Sequence, residues 1–159
     1  MSANLEQFLS DLDREPETKS PKVASKSVAS SKYLNEEEYR ACLAACGSDR
    51  QRMFFRLLWE TGLRVSELCS IRVEDARVEE QIAVVRVRGK GSKERQVRMR
   101  LELWDRARAV FSGTHYLAET AGGKPYTRHY VSGEIAKVSE RAVGRRYRRM
   151  RYATVSQRG

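Results

Sequence analysis

The chain has 159 residues, of which 40% are hydrophobic and 33% are charged, a composition typical of one globular domain with its own core. No apolar run is long enough to cross a membrane, and the first residues lack the basic and apolar regions of a signal peptide. We therefore expect a cytoplasmic protein without a membrane partner. Three cysteines without regular spacing argue against a disulfide framework, and no metal site is expected.

The formal net charge of +10 indicates a polyanionic partner such as nucleic acid. The charge is unevenly distributed, because seven arginines and no acidic residue lie between positions 141 and 159. The part of the chain before this segment therefore carries only +3 of the total of +10. The global charge is weak evidence for function by itself.

Residues 1–32 divide into two predicted parts. Apolar side chains recur at helical spacing in residues 5–12, which predicts a short amphipathic helix. Residues 14–32 are rich in Ser and Lys, contain Pro16 and Pro21, and have almost no large apolar side chain. This composition is typical of a flexible linker.

Two helices are predicted after the linker. Asn35 is a candidate N-cap residue with Glu38 as its capping-box partner, and Gly47 ends this first helix. The second helix covers residues 49–60. Its predicted core residues are Phe54, Phe55, Leu57 and Leu58.

Residues 61–68 form the motif Thr-Gly-Leu-Arg-Val-Ser-Glu-Leu. We predict that Gly62 ends the second helix in a left-handed conformation and that a short third helix covers residues 65–70. Arg64 is then expected in the first turn of the new helix, where unpaired N–H groups and the helix dipole favour an anion. A single arginine there is a candidate phosphate ligand, although an ordinary surface arginine is the commoner situation.

A β-hairpin is predicted after an acidic connection at residues 72–80. Residues 82–88 and 93–99 are strand-like, and Gly-Lys-Gly-Ser joins them. The alternation of side chains predicts one core face and one basic face. The core face contains Val85, Val87, Val97 and Met99, and the basic face contains Arg86, Arg88, Gln96, Arg98 and Arg100. The basic face is a candidate contact for the DNA backbone, and the alternative is a solvated face of an edge hairpin.

Two further helices complete the predicted elements. Residues 101–111 have amphipathic spacing, with Leu103, Trp104 and Val110 as predicted core. Thr127 is the predicted N-cap of the last helix. That helix carries Val131, Ile135 and Val138 at helical spacing.

The motif at residues 61–68 and the hairpin segment Val-Arg-Gly-Lys-Gly-Ser-Lys-Glu-Arg at residues 87–95 together resemble the catalytic domain of tyrosine recombinases, which include phage integrases and Xer proteins. The resemblance covers residues 33–146. It implies an α+β fold that is mainly helical with a small antiparallel sheet, but only part of the catalytic domain. The core-binding domain that precedes the catalytic domain in this family is expected to be missing or reduced to residues 1–32.

The resemblance also implies a chemistry in which a tyrosine hydroxyl attacks a DNA phosphodiester without a metal or nucleotide cofactor. Arg64 matches the first catalytic arginine, Glu67 the acidic residue that supports it, and Lys90 the hairpin lysine that protonates the leaving oxygen. Lys93 and Arg95 match phosphate contacts. The implied partners are double-stranded DNA and other recombinase protomers, and no small-molecule substrate is expected.

The rest of the family's site, a His-x-x-Arg box and a nucleophilic tyrosine, has no match in position. Tyr147 and Tyr152 lie too early to be the nucleophile. Residues 147–159 form a basic tail without hydrophobic periodicity. One choice of codons for this tail, read in another frame, gives Ser-Pro-His-Ala-Leu-Arg-His, which resembles the missing box. We therefore hypothesise that the tail is out of frame.

Three interpretations follow from these observations. The favoured one is a DNA-binding fragment of a recombinase that does not cleave DNA alone. The second is a non-catalytic DNA-binding or interfering protein, and the third is a remnant without function. For the tail, the alternative to a frameshift is a genuine basic arm that binds nucleic acid.

Overall fold

A computed structural model describes residues 34–147. The predicted helix and linker in residues 1–32 and the tail residues 148–159 lie outside the described residues. Within 34–147 the helices are α1 (Glu36–Ala45), α2 (Asp49–Thr61), α3 (Val65–Ser70), α4 (Leu101–Phe111) and α5 (Arg128–Val143). The strands are β1 (Ala76–Glu79), β2 (Ile82–Arg88) and β3 (Glu94–Arg100), and short 3-10 turns occupy Val73–Asp75 and Lys90–Ser92. The predicted α+β class, mainly helical with a small antiparallel sheet, is confirmed.

Local capping residues set the helix ends as predicted. The Asn35 side chain accepts a hydrogen bond from the Glu38 N–H, and the Glu38 carboxylate accepts one from the Asn35 N–H, which is a complete capping box. At the other end of α2, Gly62 has a φ of 76° and ends the helix in the left-handed region. Arg64 is the N-cap residue of α3, one position before the first turn in which the sequence placed it.

The sheet has the order β1-β2-β3, and both pairs of strands are antiparallel. Val85 lies opposite Val97, and Arg88 lies opposite Glu94 at the end of the hairpin. The residues predicted for each face have the expected burial, although Val84, which has the parity of the basic face, is also buried. The valines and the methionine of the core face (Val85, Val87, Val97 and Met99) are buried, and the side chains of the predicted basic face are exposed.

Strand β1 was not predicted, because residues 72–80 read as an acidic connection. Its sequence, Ala-Arg-Val-Glu, has two charged residues, and its only large apolar side chain, Val78, is 55% exposed. The sequence of this strand therefore lacks the alternation of apolar and polar residues that would predict it. Pairing with β2 defines it instead.

The core is centred on α2. Phe54, Phe55, Leu57 and Leu58 are at most 1% exposed, as the sequence predicted. This helix packs on α1, α4, α5 and β3. In α4 the prediction is partly wrong, because Val110 is only half-buried and Phe111 takes the core position beside it.

Tyr147, the last described residue, belongs to the core rather than to an exposed tail. It is 5% exposed, its N–H donates to the Ser139 hydroxyl at 2.9 Å, and its own hydroxyl lies 3.3 Å from the Glu38 carboxylate. The packed part of the chain therefore extends one residue beyond the predicted boundary at 146. No helix within residues 34–147 is both long and apolar enough to span a membrane.

Candidate nucleic-acid interface

The turn between α2 and α3 presents Arg64 to solvent. Thr61 stabilises the turn, because its hydroxyl donates to the Leu57 carbonyl at 2.6 Å and accepts from the Leu63 N–H at 3.1 Å. Leu63 is 1% exposed and anchors the turn in the core. Arg64 follows in an extended conformation with an exposed side chain. Its guanidinium makes no ion pair with any acidic side chain in residues 34–147 and is available to a ligand.

Glu67 lies directly behind this turn with a side chain that is only 2% exposed. Its Oε1 accepts hydrogen bonds from the Arg64 backbone N–H at 2.9 Å and from Arg95 Nη2 at 2.7 Å. Its Oε2 accepts a longer bond from Arg95 Nε at 3.3 Å. Burial raises the pKa of the Glu67 carboxyl, but the hydrogen bonds and positive charges of Arg95 and Arg64 outweigh burial. The pKa therefore falls below its ordinary value, and Glu67 is an anion at neutral pH.

The loop between β2 and β3 rests on the same carboxylate. The Gly89 N–H donates to the Lys93 carbonyl at 2.6 Å and closes the loop. A Cβ on Gly89 would lie 3.1 Å from Glu67 Oε2, so the backbone here approaches the carboxylate closely. The backbone of Lys90 comes next in the chain, in a 3-10 turn. Glu67 therefore links the backbone of Arg64 to β3 through Arg95 and lies close to the loop that contains Lys90.

The predicted contact residues of the hairpin lie on two different sides of the sheet. Arg86, Arg88 and Arg98 are exposed on the outer face. Arg86 pairs with Asp75 at 3.3 Å, Arg88 pairs with Glu94 at 3.2 Å, and Arg98 has no ion-pair partner among the described side chains. Exposed pairs of this length contribute little stability, so a phosphate can displace their acidic partners.

Arg95 does not belong to this outer face. It lies opposite Val87 in the register and so shares the core-facing side of β3. Its guanidinium is engaged by Glu67, although 46% of the side chain remains exposed. The expectation that Arg95 contacts phosphate stays a prediction, and the structure shows that its guanidinium donates two hydrogen bonds to Glu67. Lys93 is exposed at the end of the loop, where the sequence placed it.

A groove of about 400 Å³ lies beside the outer face, and sequence reasoning missed it. Its lining combines arginines, acidic residues and one aromatic ring: Ser70, Arg72, Glu74, Asp75, Arg86, Arg88, Glu94 and Tyr116. The Arg72 guanidinium lies 5.8 Å from the centre of the Tyr116 ring. No sequence signal links these two residues, because Tyr116 comes from a loop after α4.

Glu119 fixes the loop that contributes Tyr116. Its carboxylate accepts hydrogen bonds from the backbone N–H groups of Thr114, Tyr116 and His115 at 2.8, 3.1 and 3.0 Å. These bonds lower the pKa of Glu119 to about 2. The loop also pairs with the chain after α3, where the Leu117 N–H donates to the Ile71 carbonyl at 2.9 Å. The groove is thus held by contacts between distant parts of the sequence.

One protein-family model matches most of this chain. The model described as the phage integrase family matches residues 32–153. The chain belongs to the phage integrase family. The match starts beside the predicted domain boundary and ends inside the segment predicted to be out of frame.

Several curated relatives are named as tyrosine recombinases. Tyrosine recombinase XerA of Pyrococcus horikoshii is 34% identical over 116 residues, which is 72% of this chain and 37% of that protein. Tyrosine recombinase XerD of Pasteurella multocida is 32% identical over 131 residues, which is 78% of this chain and 39% of that protein. The chain therefore spans less than half the length of these relatives.

Solved structures support the fold. The catalytic core of lambda integrase has a TM-score of 0.57 and 19% identity, over 70% of this chain and 73% of that chain. The XerH recombinase in a post-cleavage complex with a palindromic difH substrate has a TM-score of 0.60 and 21% identity, over 72% of this chain and 37% of that chain. Both contain the arrangement of helices around a small sheet that is described above.

Proposed function

We propose that this chain binds duplex DNA as the Arg64-bearing part of a tyrosine-recombinase catalytic domain. The observation that carries the proposal is the position of Arg64. Its guanidinium is exposed and makes no ion pair within residues 34–147, and Glu67 holds its backbone beside the loop of Lys90. A planar guanidinium with paired donors binds the oxygens of a phosphate in a bidentate manner, which lysine cannot do.

The proposed roles follow from the chemistry of phosphoryl transfer. Arg64 binds the non-bridging oxygens of one phosphate, and in a complete recombinase site, which also supplies the nucleophile, Lys90 would protonate the leaving oxygen. Arg86, Arg88, Lys93 and Arg98 neutralise neighbouring phosphates along the backbone. The sequence contains no His-x-x-Arg box, since neither His115 nor His129 is followed by arginine three residues later. This chain by itself therefore binds DNA without forming a covalent phosphotyrosine.

The relatives support the choice of partners. The XerH structure contains its difH substrate, and a lambda integrase tetramer, similar in fold to this chain, is bound to a Holliday junction. We propose DNA of a specific recombination site as the ligand and further recombinase protomers as protein partners. A non-catalytic role, in which this chain occupies a site and blocks an active recombinase, uses the same DNA-binding surface.

The experiment measures duplex binding by fluorescence anisotropy for the full chain and for two variants. Arg64→Gln removes the proposed phosphate ligand and should weaken binding by about tenfold or more, because a charged hydrogen-bonded contact is worth roughly 1.5–3 kcal/mol. The matched control is Arg106→Gln, which removes an exposed arginine of α4 and should change the affinity by less than about twofold. Equal effects of the two substitutions would refute the role of Arg64.

A second measurement tests the absence of cleavage. The full chain is incubated with a duplex that contains a nick opposite a candidate site, and the products are separated under denaturing conditions. We expect no protein attached to DNA. A covalent complex that survives denaturation would contradict the proposal that this chain cannot form the phosphotyrosine.

A further inference from the structure

The buried carboxylate of Glu67 has two arginines beside it, and the structure uses them differently. The Arg95 side chain donates two hydrogen bonds to Glu67. Arg64 donates only one, from its backbone N–H. The guanidinium of Arg64 stays exposed, although its charge still acts on the carboxylate and lowers its pKa.

We propose that Arg95 is a positioning residue, which neutralises Glu67 and thereby leaves the Arg64 guanidinium free to bind a DNA phosphate. This inference rests on the proposed function of Arg64 and assigns a different role to Arg95 from a phosphate contact. The ligand is a DNA phosphodiester whether Arg95 positions Arg64 or contacts DNA directly. The two roles differ in which arginine contacts the phosphate.

The physical reason is the cost of an unpaired buried charge. A carboxylate that is 2% exposed requires a cationic partner or strong hydrogen bonds, since a buried charge without a partner is strongly unfavourable. The charges of Arg95 and Arg64 both act on Glu67 and lower its pKa. If Arg95 is removed, the charge of the Arg64 guanidinium still acts on Glu67 and would attract this guanidinium to the carboxylate. Its turn toward Glu67 would withdraw it from the phosphate.

The position of Arg95 suits this role. It follows the loop by two residues and lies opposite Val87 on the core-facing side of β3, so its backbone is fixed by the sheet. The same carboxylate also lies close to the backbone of Gly89 at the start of the loop. The Arg95–Glu67 pair therefore holds the hairpin against α3 and keeps the Lys90 loop beside the turn of Arg64.

The first test needs no DNA and uses NMR of the full chain. The side-chain Nε–H resonance of Arg64 reports whether its guanidinium has moved to Glu67. Arg95→Gln should shift this resonance, and Arg95→Lys, which retains the charge, should return it toward the wild-type position. Arg98→Gln, which removes an exposed arginine of the same strand, should leave it unchanged. An unchanged Arg64 resonance in folded Arg95→Gln protein would overturn the proposal.

The second test is a double-mutant cycle of duplex binding with Arg64→Gln and Arg95→Gln. We expect Arg95→Gln to weaken binding by about tenfold in the wild-type chain and by less than about twofold when Arg64 is already glutamine. Arg98→Gln should weaken binding by the same factor in both backgrounds, as expected for an independent contact. If Arg95→Gln also has equal effects in both backgrounds, Arg95 contacts phosphate directly and the proposal is wrong.

The two tests separate the failure of this inference from the failure of the proposed function. If duplex binding does not depend on Arg64 at all, the proposed function is refuted. The NMR comparison still decides whether Arg95 keeps the Arg64 guanidinium away from Glu67. Thermal unfolding of each variant verifies that the resonances and affinities come from folded protein.

Discussion

Two arginines of the hairpin pair with glutamates that differ in burial, and this difference predicts different effects of removing each glutamate. Glu67 is 2% exposed and accepts three hydrogen bonds, from the Arg64 N–H and from two nitrogens of Arg95. Glu94 pairs with Arg88 at 3.2 Å, and their side chains are 44% and 75% exposed. The substitutions Glu67→Ala and Glu94→Ala therefore remove the same chemical group from two different environments.

The expected magnitudes follow from these contacts. Removing one partner of a fully buried ion pair costs about 3–5 kcal/mol. Arg95 is 46% exposed and can be rehydrated, so the lower end of that range applies. We expect Glu67→Ala to lower the free energy of unfolding by about 3 kcal/mol. An exposed pair contributes about 0–1 kcal/mol, so Glu94→Ala should have an effect within that range.

The assay is urea denaturation followed by circular dichroism, with the free energy of unfolding obtained by linear extrapolation. The slope of the free energy of unfolding against urea concentration should be the same for the wild-type chain, Glu67→Ala and Glu94→Ala. Differences in the free energy of unfolding then report changes in the native state. If Glu67→Ala and Glu94→Ala destabilise the protein to the same extent, Glu67 does not join the Arg64 turn to the hairpin.

Three further predictions concern pH and two close backbone approaches. Because the pKa of Glu119 is lowered from 4.5 to about 2 in the folded protein, its carboxylate stabilises the fold above pH 4.5, and this contribution disappears as the pH falls toward 2. Glu119→Gln should lower the thermal midpoint at pH 7 but not at pH 2. Gly113→Ala places a Cβ 2.0 Å from a backbone oxygen and should cost about 2 kcal/mol or more in urea denaturation, whereas Gly122→Ala, with its nearest atom at 3.9 Å, should stay within about 0.5 kcal/mol. Gly89→Ala, with a Cβ 3.1 Å from Glu67 Oε2, should cost about 1 kcal/mol in the same assay. A near-neutral Gly113→Ala would contradict the described loop.

Local features of the sequence determine the elements that were predicted correctly. The capping box at Asn35 and the left-handed Gly62 act within one turn of the chain, and Val85 and Val87 lie two residues apart on the core face of β2. Strand β1 has no such pattern, because it is an edge strand whose only large apolar side chain is mostly exposed. Its existence depends on pairing with β2.

The candidate site was predictable in part. The motif at residues 61–68 and the hairpin identify Arg64, Glu67 and the loop of Lys90. The orientation of Arg95 also had a signal in the sequence, because Arg95 has the same parity as the buried Val97. The groove of Arg72 and Tyr116 had none, since loop contacts between distant segments bring these residues together.

Binding of duplex DNA by the surface that contains Arg64 and the hairpin arginines is tested by comparing this surface with the basic tail. One variant replaces Arg86, Arg88 and Arg98 with glutamine, and the other replaces Arg148, Arg149, Arg151 and Arg158. Substitution is preferable to deletion from residue 147, because Tyr147 is buried. The measured quantity is the slope of log affinity against log salt concentration, whose magnitude falls by about one for each phosphate that the protein no longer neutralises.

We predict that the magnitude of the slope is about three smaller in the hairpin variant than in the wild-type chain, while the tail variant keeps most of the wild-type slope and affinity. The opposite result, with the slope reduced only in the tail variant, would refute binding by the hairpin surface and assign DNA binding to the tail.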